Sequence, residues 1–246
     1  MGQVITVISG KGGTGKTTIC AGVAACLAAD GNRTLCIDGD IGLRNLDISL
    51  GMASLAPISF TDVLYGRYPL SDATPHETIP DLWLLTAPVT DTAKRIDEGA
   101  FGKLLDQARR DFDYILIDAP AGIGSGFRLA TVHADRLLAV STPDPASMRD
   151  AASAADQLSM MGKEDVRLVV NRITPRLFRQ MRLTVDDVMD GVGLPLMGVV
   201  PEDENVVLAA ASHTPLVLYS NQGASVACLH IARRLQGIKT PLMKLR

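Results

Sequence analysis

Residues 10 to 18 read Gly10-Lys11-Gly12-Gly13-Thr14-Gly15-Lys16-Thr17-Thr18, and they join an apolar run, Val4 to Ile8, to a small-residue segment that starts near Lys16. Gly10, Gly15, Lys16 and Thr17 satisfy the spacing G-x-x-x-x-G-K-[ST] of a phosphate-binding loop, with the strand before it and the helix after it that the motif requires. The glycines let successive backbone N–H groups turn inward on a phosphate, and the helix N-terminus adds its partial positive charge. Lys16 is then the residue that reaches the outer phosphates, and the Thr17 hydroxyl the one that ligates magnesium. A glycine-rich turn that only capped a helix would need neither side chain at those positions.

The remainder of the chain repeats the same strand-then-helix unit. Strand-like runs occur at Val4 to Ile8, Thr34 to Ile37, Leu82 to Leu85, Tyr114 to Ile117, Leu137 to Ser141, Leu168 to Val170 and Met197 to Val200. Helix-like segments separate them, at Thr17 to Ala29, Gly99 to Arg110, Ala146 to Met161, Val185 to Met189, Asn205 to Ala211 and Ala224 to Leu235. This alternation predicts an α/β fold with a doubly wound, mostly parallel sheet, helices on both faces in a three-layer α/β/α arrangement, and ligands at the carboxyl ends of the strands. Residues 66 to 81 and 171 to 183 read as irregular. Residues 1–236 form one phosphate-loop domain in this reading, and 237–246 a basic, weakly amphipathic tail.

Composition agrees with that layering. The chain has 246 residues, 47% hydrophobic and only 4% aromatic, so its core must be built from Ala, Val, Ile and Leu. The net charge of −3, with no long basic block, gives the whole-molecule field no pull toward nucleic acid, and no specific nucleic-acid partner is expected. Cys20, Cys26, Cys36 and Cys228 form no C-x-x-C pair and read as buried small hydrophobes, in keeping with a reduced, cytoplasmic compartment. Neither a signal peptide nor an apolar run long enough to span a bilayer is present. Met1-Gly2 matches a loose myristoylation pattern, but Val4 and Ile5 belong to the strand feeding the phosphate loop. The histidines are scattered and take no role, and Met160, Met161 and Met189 read as core filler.

Three acids lie where they would face bound phosphates. After the second strand comes Asp38-Gly39-Asp40-Ile41-Gly42-Leu43-Arg44-Asn45-Leu46-Asp47, with two carboxylates at the tip of a buried strand. Carboxylates there can hold the water shell of magnesium and orient an attacking water, and phosphoryl transfer depends on such positioning. Tyr114-Ile115-Leu116-Ile117-Asp118 is an apolar strand ending in an acid, the Walker B arrangement, with Asp118 placed to hold magnesium. Asn171-Arg172 and Pro201-Glu202-Asp203 follow later strands, where an amide and backbone groups could read a base edge while Pro201 packs its face. Pro-Glu-Asp is also a good turn and helix start, so Glu202 and Asp203 have an ordinary structural alternative.

Lys11, directly after the first glycine, exceeds what a phosphate loop needs. With it, the nine residues resemble the deviant Walker A motif of the MinD/ParA family of ATPases, and the resemblance extends over essentially the whole chain. Asp38 to Asp47 is similar to the first switch of the MinD, division-site branch of that family, and Asp118-Ala119-Pro120-Ala121-Gly122-Ile123 to its second. The resemblance implies ATP and Mg2+ as cofactors and hydrolysis to ADP and phosphate. It places Lys11, Lys16 and Asp40 in catalysis, with Lys11 acting across a homodimer formed in the ATP state and Asp40 positioning the water. It implies nucleotide contacts from Gly10, Lys11, Gly12, Gly13, Thr14, Gly15, Lys16, Thr17, Thr18, Asn171, Arg172, Pro201, Glu202 and Asp203, and metal contacts from Thr17, Asp38 and Asp118. Arg44, Asn45 and Asp47 could join a nucleotide-sensing surface or simply fold their own loop. The implied output is placement of the division septum, with a division inhibitor and a topological activator protein as partners and a peripheral position on the inner face of the cell membrane.

Related roles stay open at this level. A positional ATPase of flagellar number shares the motifs, but usually carries an added N-terminal segment, which is not expected here because Met1 lies just before the first strand. A cluster carrier like the nitrogenase iron protein needs cysteines near the switches, and none occurs between Cys36 and Cys228. A scaffold that has lost hydrolysis is the reading of another class. The family usually ends in a basic amphipathic helix that lies on membrane. Here no acid occurs from Asn205 to Arg246, basic residues including Lys239 and Lys244 accumulate at the end, and Leu235, Ile238, Leu242 and Leu245 would share one helical face. Gly237 and Pro241 interrupt that face. Association with an anionic membrane surface is the resulting expectation, weak for one tail and stronger for two on a dimer.

Overall fold

The computed structural model describes residues 1–88 and 96–243. Its elements run β1 (Gln3–Ile8), α1 (Lys16–Ala29), β2 (Thr34–Asp38), α2 (Leu46–Ser49), α3 (Phe60–Leu64), β3 (Thr74–Pro75), β4 (Leu82–Leu85), α4 (Glu98–Asp111), β5 (Tyr114–Asp118) and α5 (Ser125–Thr131). They continue with β6 (Arg136–Ser141), α6 (Pro145–Met160), β7 (Val166–Ile173), α7 (Pro175–Met181), α8 (Val185–Val192), β8 (Leu196–Pro201), α9 (Asn205–Ala211), α10 (Leu216–Tyr219) and α11 (Ala224–Leu235). The strands form one sheet in the order β3-β4-β2-β5-β1-β6-β7-β8, parallel throughout except for β3 against β4. All the strand-like runs read from the sequence are strands of this sheet, and the doubly wound α/β expectation holds.

The reason lies in how the strands are covered. Along β1, Ile5 and Val7 point into one core with α1 and α11, while Val4 and Ile8 point into the other with α4 and α5. Both sheet faces are therefore dry, and the strands can be continuously apolar. A further core under β7 and β8 is filled by Ala151, Phe178, Val188 and Val192. Helix α1 is buried on nearly every side because its small residues admit close neighbours: a Cβ on Gly22 would lie 2.6 Å from Cys228 Sγ. All four cysteines are free and buried, as read, and desolvation pushes the Cys20, Cys36 and Cys228 thiols well up.

Several short elements escaped the periodicity reading. Helix α3 is stapled by a capping box between Ser59 and Asp62, and β3 and α7 arise inside segments read as irregular. Elements of two to seven residues present too few apolar repeats to show a period. Met160 is a correction: it ends α6 at 86% exposure and fills no core, whereas Met189 packs partly into the β7–β8 core. Gly2 is buried against the chain, where a Cβ would lie 2.0 Å from Phe112 O, consistent with setting the acylation pattern aside.

The tail leaves the last helix at the first of the two interruptions, Gly237. Helix α11 ends at Leu235, Gly237 takes φ +78, and the described residues after it are not helical. Arg234 holds this stretch against the domain, donating to Thr240 O at 2.9 and 2.8 Å and to Met197 O at 2.7 Å, and Met243 packs on the core. Ile238 and Leu242 are exposed, but on no common helical face, because Gly237 and Pro241 break the repeat. Lys244 and Leu245 lie outside the described residues. No helix among those described is long and apolar enough to cross a membrane.

Candidate functional site

The carboxyl ends of β1, β2, β5, β7 and β8 bring the expected residues together. Between β1 and α1 the loop turns with Gly13 at φ +81 and Gly15 at φ +88, conformations that suit residues without a Cβ. Gly10 is needed for space: a Cβ there would lie 2.3 Å from the Asp150 backbone in the second turn of α6. Gly12 and Gly13 face open space. Ser9 Oγ donates to Lys11 O at 2.9 Å, and Gly122 N to Ser9 O at 3.1 Å, so the loop is tied to the segment after β5. The Thr14 hydroxyl is buried with no hydrogen-bond partner among the described residues.

At the mouth of this loop, Lys16 Nζ donates to Asp118 Oδ1 at 2.6 Å and Thr17 Oγ1 to Asp118 Oδ2 at 2.7 Å. Asp118 is 1% exposed. Burial lifts its carboxyl above the ordinary range, while the Lys16 ammonium and the two hydrogen bonds pull it back. Asp38 stands beside it, in register across β2 and β5, and burial together with Asp118 raises it to about 6. Asp40 is half-buried; desolvation raises its carboxyl and Lys16 opposes that.

The oxygen donors around Asp118 suit magnesium, which takes one or two carboxylates or hydroxyls and completes its shell with phosphates and water. No cluster of three or more His, Cys, Asp or Glu side chains stands at metal-holding distance among the described residues, so an all-protein cage is not what the site offers. Thr17 and Asp118 offer the hydroxyl and carboxylate oxygens that such an ion would take. Asp38 was expected beside them as a metal residue, yet both its oxygens accept main-chain N–H groups, from Asp40, Asn45 and Leu46. Arg44 and Asp47 fold their own loop: Arg44 Nε donates to Asp47 Oδ2 at 2.9 Å, and Asp47 is buried.

A cleft beside the loop is lined by Gly15, Thr18, Asn171, Arg172, Pro201, Glu202 and Asp203, among others. Asn171 is buried and its Nδ2 donates to Thr14 O at 2.8 Å, so it braces the phosphate loop as well as lining the cleft. Arg172 has φ +57 at the irregularity between β7 and β8, and its side chain is exposed 3.9 Å from Glu202. Asp203 lines the same cleft and also ties structure together: it accepts Asn205 N at 2.9 Å and Ala224 N at 2.9 Å, linking the turn after β8 to the start of α11.

Lys11 contacts a residue that sequence reasoning missed. Its Nζ lies 3.1 Å from Asp144 Oδ1. Asp144 caps α6 through Ser147 N at 3.0 Å and accepts from Thr142 Oγ1 at 2.6 Å. Burial opposes ionisation there, but these donors and the Lys11 ammonium outweigh it and hold the carboxyl at about 2. Asp144-Pro145, separated from the end of β6 by two residues, was the available signal, since an Asp-Pro pair marks a helix start.

Comparison with known proteins gives the same picture. The CobQ/CobB/MinD/ParA nucleotide binding domain profile matches residues 5–216. The septum site-determining protein MinD of Thermotoga maritima is 36% identical over 246 residues, covering 98% of this chain and 91% of that protein. Among solved structures, the MinC:MinD cell division protein complex of Aquifex aeolicus aligns with a TM-score of 0.90 at 36% identity, covering 98% of each chain. MinD of Pyrococcus horikoshii, complexed with Mg-ADP, aligns with a TM-score of 0.83 at 27% identity, over 96% of each chain.

Proposed function

The chain belongs to the CobQ/CobB/MinD/ParA family of nucleotide-binding domains, and on that premise we propose that it is a MinD-type ATPase that helps place the division septum. Its cofactors are ATP and magnesium. The observation that carries this reading is the convergence of Lys16 and Thr17 on buried Asp118, under a glycine-rich loop and beside the Asn171–Pro201 cleft. Inward N–H groups of the loop and the α1 N-terminus bind the phosphates. Lys16, a flexible side chain, leaves Asp118 for the outer phosphates when they arrive. Asp40 orients the attacking water, a half-buried carboxylate close enough to Lys16 to feel its charge. Magnesium, when bound, neutralises charge on the phosphates. ATPase assays of the parent, Lys16→Ala and Asp40→Ala test the reading; full activity in either variant overturns that residue's role.

The output is a dimerisation switch. Lys11 reaches the partner's phosphates in an ATP-state homodimer, after leaving its exposed contact with Asp144. Light scattering with ATP and with ADP tests this, and equal mass in both refutes it. A division inhibitor of the MinC kind binds the protein, a reading supported by the Aquifex aeolicus complex. Peripheral association with anionic membrane rests on the exposed Ile238 and Leu242 beside Lys239, in an acid-free stretch that begins at Asn205. Removing residues 238 to 246 should abolish sedimentation with anionic vesicles and leave unstimulated hydrolysis intact. Equal sedimentation of both proteins, or of neither at low salt, refutes it.

A further inference from the structure

The segment from Asp40 to Leu46 leaves the end of β2 and returns to begin α2, and both of its ends meet one side chain. Asp38 Oδ1 accepts the N–H of Asp40 at 2.9 Å, and Asp38 Oδ2 accepts those of Asn45 and Leu46 at 3.1 Å each. The Asp38 residue is 0% exposed. Around this carboxylate the loop closes on itself, with Leu43 N and Arg44 N donating to Asp40 O at 3.2 and 3.3 Å. Arg44 has φ +48, and Leu46 is buried while Leu43 is 69% exposed. At the base of the loop, Gly39 N donates to Asp118 O at 2.9 Å, and a Cβ on Gly39 would lie 2.9 Å from that same oxygen. The loop is therefore held to the Walker B strand at its root and to Asp38 at both ends.

We propose that Asp38 is a positioning residue, which clamps both ends of segment 40–46 and so sets the place of Asp40, and that it is not a ligand of magnesium. Its kinetic consequence rests on the ATPase reading above; its structural consequence does not. A carboxylate accepting main-chain N–H groups makes charge-assisted bonds, the stronger kind, and turning an oxygen toward a cation would surrender them. Asp118 differs, because its partners are the side chains of Lys16 and Thr17, which swing away to phosphate and metal without disturbing the backbone. One acid is thus built to release its partners and the other to keep them.

Amide exchange and kinetics test this together. In Asp38→Asn the side-chain nitrogen cannot accept, so whichever way the amide turns, either Asp40 N or the Asn45–Leu46 pair faces a donor. Exchange at those amides in the nucleotide-free protein should quicken at least about tenfold, while Ile115 to Ile117 in β5, an internal control for the fold, stay protected. In turnover, kcat should fall at least about tenfold, while the KM for ATP and the half-saturating magnesium concentration move less than about threefold. Unchanged exchange at all three amides overturns the proposal. So does a tenfold rise in half-saturating magnesium. The parent protein supplies a test that needs no variant: with a non-hydrolysable ATP analogue, adding magnesium in place of EDTA should leave Asn45 and Leu46 as protected as before. Tenfold faster exchange on adding magnesium would mean that the ion takes Asp38 from the loop, and would refute the clamp.

Discussion

Replacing Lys16 by alanine should do more than weaken nucleotide binding; it should destabilise the nucleotide-free protein. The Lys16–Asp118 pair is 2.6 Å long, with side chains only 7% and 1% exposed. Removing one member of a buried pair costs about 3–5 kcal/mol, because the other is left charged in a poor dielectric. Thr17 still donates to Asp118, which argues for the lower end, about 3 kcal/mol near neutral pH. With a urea slope of about 2–3 kcal/mol per molar for a chain of this size, the midpoint should drop by about 1 M. The loss should also depend on pH. Burial raises the folded-state Asp118 carboxyl above its unfolded value, and deleting Lys16 removes the first of the opposing influences. A carboxyl raised in the folded state is compatible with folding below its unfolded pKa, and that compatibility is lost as pH rises through the folded pKa. The gap between parent and variant should therefore narrow as the pH is lowered from 7.5 toward 5. Trp83, the lone tryptophan, sits half-buried beneath Arg33 and edge-on to Phe112, and its fluorescence can follow the transition. The double variant Lys16→Ala/Asp118→Ala should recover part of the loss. A parent-like urea midpoint for Lys16→Ala at pH 7.5 would show that Lys16 does not neutralise Asp118 in the resting protein.

Lys11→Ala should behave oppositely. Its contact with Asp144 joins side chains 35% and 47% exposed, worth at most about 1 kcal/mol, so the urea midpoint should barely move and ATP should still bind. What should vanish is the ATP-dependent dimer in light scattering; normal dimerisation would refute the role in trans. Asp40→Ala should bind ATP, dimerise and stay dimeric, and failure to bind ATP would move Asp40 into the binding set. Asp144, held at about 2, contributes stability that is present above the ordinary carboxyl range and lost as pH falls from 4 toward 2. With its exposure discounted that is about 1 kcal/mol, so Asp144→Asn should be less stable than the parent at pH 6 and nearly equal to it at pH 2.5; a constant gap would count against the assignment.

Reading the chain alone reached the α/β sheet, its strands and the phosphate loop, because those depend on short-range spacing: apolar runs bounded by turns, and glycines, a lysine and a hydroxyl at set intervals. The four buried cysteines and the turn role of Asp203 were also legible locally. The short elements α3, α5 and α7 were not, since a capping box or one buried anchor such as Phe178 made them rather than a repeat. The same limit applied to individual side chains. Met160 follows the apolar pattern of a helix face, yet only packing decided that no neighbour covers the end of α6. Asp38 and Asp118 look alike in sequence, each an acid at the tip of an apolar strand. Their tasks diverge because Lys16, 102 residues away, folds onto Asp118, whereas the backbone of the next loop closes over Asp38. Asp144 and Lys11 are separated by 133 residues and meet only because β1 and β6 are neighbours in the sheet. Motif spacing determined which chemistry the chain can hold. The winding of the sheet decided which partner each carboxylate keeps, because a carboxylate buried at a strand end takes whatever donors the adjacent strands and loops deliver to it.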